Sequence, residues 1–343
     1  MKRIGNLYND IISIENLNLA DQKAQKGKLG QYGVQLHNRN KEAQILQLHK
    51  TLKAKKHKTS PYSTFKIYEP KEREIFRLPF FPDRIVHHAI MNKLKPIFVS
   101  TFTNDTYSCI EGKGIHAASN NLKKAFKDIQ GTTYCLKLDI KKFYPNIDHA
   151  ILKNLLRKKL KDQDLLTLLD EIIDSAPGVP IGNYLSQYFA NFYLTYFDHW
   201  IKEQKKVKYY FRYADDMVLL SESKEQLQVF LSEIKEYLNA NLKLTLKPNR
   251  GVFPTKLGID FVGYVHYHGY TLLRKSIKKD FARAIHKKKP QATINSYLGW
   301  LIHSDSNHLT KKLQVNEQFL KIKYKAKNKS LRRRQNSPLQ NTG

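Results

Sequence analysis

The chain has 343 residues, 41% of them hydrophobic, and 60 lysines and arginines against 30 acidic residues give a formal net charge of +30. That length supports a sizeable core in two or three subdomains, and so large a positive charge implies a polyanionic partner, of which nucleic acid is the usual one. There is no run of about 18 apolar residues to span a membrane, no apolar leader after Met1, and only Cys109 and Cys135 for a disulfide framework or zinc cluster. A cytoplasmic protein is the expectation. His87, His88 and the other histidines show no metal-ligand spacing with cysteine and read as solvated or nucleic-acid-facing.

In chain order, residues 6–58 read as helical and strongly basic. Six lysines and no acidic residue fall between Ala43 and Tyr68. A block of one sign repels itself unless phosphates neutralise it, so Lys53, Lys55 and Lys56 are candidate RNA contacts, against the plainer reading of a solvated helix face. Residues 62–68 and 74–78 read as a hairpin across Glu69-Pro-Lys-Glu72. A Pro–Asp start and a period near about 3.6 make residues 81–96 a helix ended by Pro96. Gly112-Lys113-Gly114 precedes a helical run and offers backbone N–H groups to a phosphate; a plain loop lysine before a helix-starting glycine is the alternative. Residues 148–161 and 164–174 read as helices. Ser223-Lys-Glu-Gln226 is a capping box opening a helix to about residue 239, and Leu242-Lys-Leu-Thr-Leu246 alternates as a strand. Three helices follow at 276–288, 290–303 and 308–325. Residues 321–334 hold eight basic residues, including Lys321, Lys323, Arg332 and Arg333, and no acidic one. The end of the chain reads as disordered until RNA binds.

Two stretches carry the acidic chemistry. Tyr134-Cys-Leu-Lys-Leu-Asp-Ile140 reads as a strand with Asp139 near its end. Tyr209-Tyr-Phe-Arg-Tyr-Ala-Asp-Asp-Met-Val-Leu-Leu220 reads as a hairpin with Asp215 and Asp216 on its turn. Adjacent carboxylates repel, and apolar flanks give them little solvent to share. A divalent cation is the simplest stabiliser; an ordinary polar turn is the alternative. Magnesium suits one or two carboxylates plus substrate phosphates, and phosphoryl transfer uses two such ions about 3.5–4 Å apart.

This constellation resembles the palm of reverse transcriptases. Asp139 matches the aspartate of their first catalytic motif, and Tyr213-Ala-Asp-Asp216 their Tyr-x-Asp-Asp box. The resemblance implies an α+β right-hand polymerase fold of fingers, palm and helical thumb. Residues 1–60 would form a basic helical extension, 61–275 fingers and palm, 276–330 the thumb and 331–343 a disordered tail. It also implies two Mg2+ ions, with Mn2+ as a substitute. Asp139 and Asp215 would be direct ligands, Asp216 a supporting carboxylate, and the Ile140 carbonyl a further ligand. Tyr144 matches the aromatic gate against a 2′-hydroxyl, with Phe143 beside it as the core residue.

The finger-like hairpin makes Arg77 and Arg84 candidates for the incoming triphosphate, against surface ion pairs with Glu72 or Asp83. Arg250, with Lys247 close by, falls where reverse transcriptases place a lysine near the leaving pyrophosphate. An arginine is a poor proton donor there. Gly258-Ile-Asp-Phe-Val-Gly263-Tyr resembles the primer grip, whose glycines admit a nucleic-acid strand. Where many reverse transcriptases carry Pro-Gln-Gly, this chain has Pro180-Ile181-Gly182, then Ser186-Gln187 one turn on. That form resembles the reverse transcriptases of diversity-generating retroelements, which copy a template-repeat RNA with errors opposite adenine. The resemblance implies template RNA, an RNA/cDNA hybrid, deoxynucleoside triphosphates and a small basic accessory protein as partners. The rivals are a retron or phage-defence reverse transcriptase of ordinary fidelity, and a non-catalytic RNA-binding protein with a decayed palm.

Overall fold

The computed structural model describes residues 3–68, 72–248 and 251–335, excepting the side chains of residues 327 and 329–335. The amino-terminal elements are α1 (Tyr8–Ile12), α2 (Ile14–Gln25), α3 (Tyr32–Arg39) and α4 (Lys41–Lys53), then β1 (Ser63–Ile67), β2 (Arg73–Arg77), α5 (Ile85–Thr101) and α6 (Ile115–Ala125). Next come β3 (Tyr134–Asp139), α7 (His149–Lys159), α8 (Gln163–Asp174), α9 (Tyr184–Tyr193) and α10 (Thr195–His199). The hairpin strands β4 (Tyr209–Tyr213) and β5 (Asp216–Ser221) precede α11 (Lys224–Leu242) and β6 (Val252–Pro254). The chain then forms β7 (Ile259–Phe261), β8 (Tyr264–His266), β9 (Thr271–Leu273), α12 (Lys275–His286), α13 (Gln291–Leu301), α14 (Asn307–Lys312) and α15 (Asn316–Gln335).

Two compact units are assembled from non-contiguous segments. The first comprises Met1–Glu111, Leu138–Met217 and Val229–Asn249, and the second Gly112–Lys137, Val218–Gln228 and Arg250–Gly343. They cut across the linear division expected at residues 60 and 275, because the segment from 61 to 275 contributes to both.

In the first unit, Leu17, Ala20 and Ala24 on α2 and Ile45, Leu48 and Leu52 on α4 recur at helical spacing and are buried. α2 packs along α5, where Asn16 Nδ2 donates to the Ala89 carbonyl at 3.1 Å. The amino terminus is stitched to the α7–α8 junction. Ile4 N donates to Lys159 O (2.9 Å) and Lys161 N to Ile4 O (2.8 Å). Asp162 Oδ2 accepts from Leu7 N and Tyr8 N at 2.6 and 2.9 Å, while its Oδ1 caps α8 through Leu165 N.

Pro96 does not end its helix: α5 continues to Thr101. An interior proline costs about 3 kcal/mol. Leu94 and Phe98, fully buried on either side of it, return about 1.5–3 kcal/mol each. His87, expected to be solvated, is buried on the same helix, and burial pulls its imidazole down to about 3. β1 and β2 form the expected antiparallel hairpin, with Ser63 opposite Arg77. No strand forms at residues 242–246. α11 runs through Leu242, and only Leu246 makes an isolated antiparallel bridge, to Ile140.

One sheet has the order β4-β5-β3-β6. In the second unit β3 pairs antiparallel with β6, and β7-β8-β9 form a separate antiparallel sheet. Phe281 of α12 stacks on Tyr297 of α13 at 5.2 Å. Among the described residues four helices follow residue 274 rather than three, because the third expected helix breaks between Lys312 and Asn316, with Gln314 at φ +56°. α15 continues to Gln335, so residues 331–335 are helical and not a disordered tail; residues 336–343 lie outside the described residues. Among the described residues no helix is long and apolar enough to cross a membrane.

Candidate active site

β3 is a mostly apolar strand whose Cys135, Leu136 and Leu138 are buried, and it delivers Asp139 at its carboxyl end. β4 and β5 flank the two-residue turn Ala214-Asp215, with Ala214 at φ +53°. Backbone bonds tie the end of β3 to the Asp215 turn and to residues 245–247. Ile140 N donates to Asp215 O at 3.3 Å, Lys141 N to Thr245 O at 2.8 Å and Lys247 N to Asp139 O at 2.8 Å. The bond from Ile140 N to Asp215 O sets the Asp139 and Asp215 carboxyls near enough for one to act on the other. Burial, then the negative charge of Asp139, pushes the Asp215 carboxyl above its ordinary range, and the Lys247 ammonium opposes the shift. Lys247 Nζ donates to Asp139 Oδ1 at 2.5 Å.

These two carboxyls, held together and partly desolvated, fit a divalent cation completed by substrate phosphates. Asp216 opens β5. Among the described residues no group of three or more His, Cys, Asp or Glu side chains is disposed to hold a metal ion.

Tyr144 occupies a helical turn, Tyr144–Asn146, beyond Asp139. Burial pushes its phenol well up, reinforced by Cys109 and Asp215 and opposed by Arg212 and Arg73. Phe143 is the buried neighbour, as expected. The turn, rather than the alternation of an extended strand, separates the two rings, which meet edge-on at 5.6 Å.

The Pro180-Ile181-Gly182 segment is pinned at both ends. Val179 N donates to Tyr144 O at 2.9 Å, and a Cβ on Gly178 would lie 2.6 Å from that same oxygen. At the other end Phe76 N of β2 donates to Ile181 O at 2.8 Å, and a Cβ on Gly182 would lie 2.4 Å from Phe76 O. Ile181 is half-buried, Ser186 is buried in α9, and Gly182 and Gln187 are exposed.

A family model described as reverse transcriptase (RNA-dependent DNA polymerase) matches residues 69–266. The chain belongs to the reverse transcriptase family. It is by family an RNA-directed DNA polymerase, and the family generally uses divalent metal ions. YkfC of Escherichia coli K12 is 24% identical over 263 residues, covering 63% of this chain and 68% of YkfC. The group II intron-encoded protein LtrA of Lactococcus lactis is 26% identical over 139 residues, covering 37% of this chain but only 23% of LtrA. The 3Dpol RNA-dependent RNA polymerase of a sicinivirus superposes with a TM-score of 0.51 over 80% of this chain and 66% of that one, at 13% identity. The fold is the right-hand polymerase fold.

Within this family member, Arg77 and Arg84 do not make the surface ion pairs considered above. Glu72 pairs with Lys66 at 2.7 Å, and the buried Asp83 accepts from Ser60 N at 3.0 Å. Both arginines instead line a cavity of about 300 Å³ against α3, whose lining includes none of Asp139, Tyr144 or Asp215. Burial and Arg77 pull the Arg84 guanidinium down. On β2, Arg73 adds a weak opposing charge to the Tyr144 phenol, and sequence reasoning passes it over. Its signal is period-two spacing, since residues 73, 75 and 77 share one face of β2. Sequence reasoning also misses the buried pair of Arg212 and Asp198.

The lysine block is less uniform in space than in sequence. Lys55 pairs with Asp164 at 2.6 Å and Lys58 with Glu171 at 2.7 Å, both acids on α8, while Lys53 and Lys56 are exposed. Gly112 and Gly114 take positive φ ahead of α6, with Lys113 half-buried between them. Gly263, expected to admit a nucleic-acid strand, instead accommodates Trp300: a Cβ there would lie 2.4 Å from the indole. Lys321 and Lys323 are exposed on α15. Arg332 and Arg333 belong to that helix with undescribed side chains, and Arg250 lies outside the described residues.

Proposed function

We propose that this reverse transcriptase copies a template-repeat RNA into cDNA with adenine-directed errors, as in mutagenic retrohoming by a diversity-generating retroelement. The supporting observation is the segment that joins the gate residue Tyr144 to finger strand β2. Its middle side chain is Ile181, and Ser186-Gln187 follow it. An isoleucine offers no hydrogen bond where the common glutamine would, so base-pair geometry is checked less tightly. Each ~1.4 kcal/mol of lost discrimination is about a tenfold rise in error.

The residues divide the work as follows. Asp139 and Asp215, with the Ile140 carbonyl and with Asp216 in support, would hold two magnesium ions, for which manganese would substitute. When bound, these ions supply activation of the primer 3′-hydroxyl and neutralisation of the leaving pyrophosphate. Tyr144 sits beneath the sugar and excludes a 2′-hydroxyl. Lys247 keeps positive charge beside Asp139. The partners are template RNA, the RNA/cDNA hybrid, deoxynucleoside triphosphates and a small basic accessory protein, in the cytoplasm.

The test is sequencing of cDNA made on a primed RNA template containing all four bases. Errors concentrated opposite adenine are expected, with incorporation lost in Asp139→Asn and Asp215→Asn. Equal error at all four bases would remove the retroelement reading in favour of a retron-type enzyme of ordinary fidelity. Undiminished synthesis by the aspartate variants would remove the site assignment.

A further inference from the structure

The first unit buries a complete guanidinium. Arg212, in β4, has no exposed surface, although its strand neighbours Tyr210 and Phe211 are apolar core residues. Its Nε donates to both Asp198 oxygens at 2.8 and 3.0 Å, and Nη2 donates to Asp198 Oδ2 at 2.5 Å. Nη1 donates to Asn191 Oδ1 at 3.2 Å and to the Ala214 carbonyl at 3.1 Å. Asp198 also accepts from the Tyr210 hydroxyl at 2.7 Å and from Thr106 Oγ1 at 3.1 Å. One side chain thus ties α9 and α10 to the turn residue immediately before Asp215.

A buried ion pair is weak evidence for stability, because apolar residues of the same volume often serve as well. This one has a positional consequence. Ala214 is a non-glycine residue at φ +53°, a conformation that costs about 1–3 kcal/mol and needs external support. Its carbonyl is held by Arg212, and the next carbonyl, that of Asp215, accepts from Ile140 N beside Asp139. The turn is therefore clamped from the core on one side and from β3 on the other.

We propose that Arg212 is a positioning residue for divalent-metal binding: anchored on Asp198, it holds the Ala214 carbonyl and so sets the Asp215 carboxyl against Asp139. This rests on the reading of Asp139 and Asp215 as metal ligands. Arg212→Lys keeps the charge opposite Asp198, but a single ammonium cannot fork to Ala214 as well. The double variant Arg212→Met/Asp198→Asn removes both buried charges together and serves if the lysine variant does not fold.

Mn2+ binding to the full chain without nucleic acid, followed by electron paramagnetic resonance, gives a readout independent of turnover. A folded variant is expected to bind Mn2+ about 10- to 100-fold more weakly. On a primed RNA template it is expected to show lower kcat and a higher Mg2+ requirement at unchanged template affinity. Mn2+ affinity and kcat within twofold of the starting protein, in a variant that melts normally, would overturn the proposal even if the starting protein is an active polymerase. Weakened Mn2+ binding in a chain that never incorporates nucleotides would sink the polymerase reading and leave the positioning role standing.

Discussion

Replacing Gly182 by alanine probes the junction between the Ile181 segment and strand β2. Gly182 has φ +125°, which costs an L-residue about 1–3 kcal/mol. The added Cβ would lie 2.4 Å from Phe76 O, whereas ordinary contact begins at 3.4 Å, so β2 must retreat by the difference of about 1 Å. Phe76 N then leaves the 2.8 Å bond to Ile181 O, forfeiting about 1 kcal/mol. The sum, about 2–4 kcal/mol, is roughly a 30- to 700-fold weakening of this junction. Because β1 and β2 form a local hairpin, the loss should appear there before it appears in the melting temperature. Hydrogen exchange at the Phe76 amide should accelerate by that factor, and the KM for deoxynucleotides should rise. Gly30→Ala is the control, since a methyl group added there would meet nothing within 4 Å. Unchanged Phe76 exchange together with an unchanged KM in Gly182→Ala would refute the argument.

Other outcomes follow from the same geometry. Gly178→Ala, whose Cβ would lie 2.5 Å from Pro145 O and 2.6 Å from Tyr144 O, should displace Tyr144. Discrimination against ribonucleotides should fall, as measured by competitive incorporation. Tyr144→Val should lower that discrimination by about 10- to 100-fold in folded protein. Asp215 has a folded-state pKa above its unfolded value. Its contribution to stability is therefore complete below the ordinary carboxylate pKa and is lost as pH rises through the raised one. In metal-free protein, melting temperature should decline over that window, and Asp215→Asn should flatten the decline. Lys247→Met removes the cation that opposes the shift, so the Asp215 carboxyl titration seen by carbon NMR should move further up.

The parts of the site legible in the sequence are those written locally. Apolar runs on both sides of Asp215 can form little else than a strand pair, and Asp139 ends a run of the same kind. Sequence patterns say nothing about what long-range packing adds. Pro96 reads as a helix end because its local cost is visible, while the burial of Leu94 and Phe98 that outweighs it is not. Lys55 and Lys58 read as unneutralised because Asp164 and Glu171 are more than a hundred residues away along the chain. Arg212 gives no local sign of its partner, since Asp198 lies on a separate helix. Gly263 carries a family expectation of close approach, and in the fold the space beside it holds Trp300.

The stitching of residues 4–8 onto the α7–α8 junction, together with the seat of α2 along α5, bears on how the chain can be shortened. A basic leader that merely captured RNA could be trimmed with loss of affinity alone. Here trimming ahead of the β1–β2 hairpin would strip one wall from α5 and take the Leu7 and Tyr8 donors from Asp162 Oδ2, so the remainder would be expected to aggregate rather than persist as a minimal polymerase.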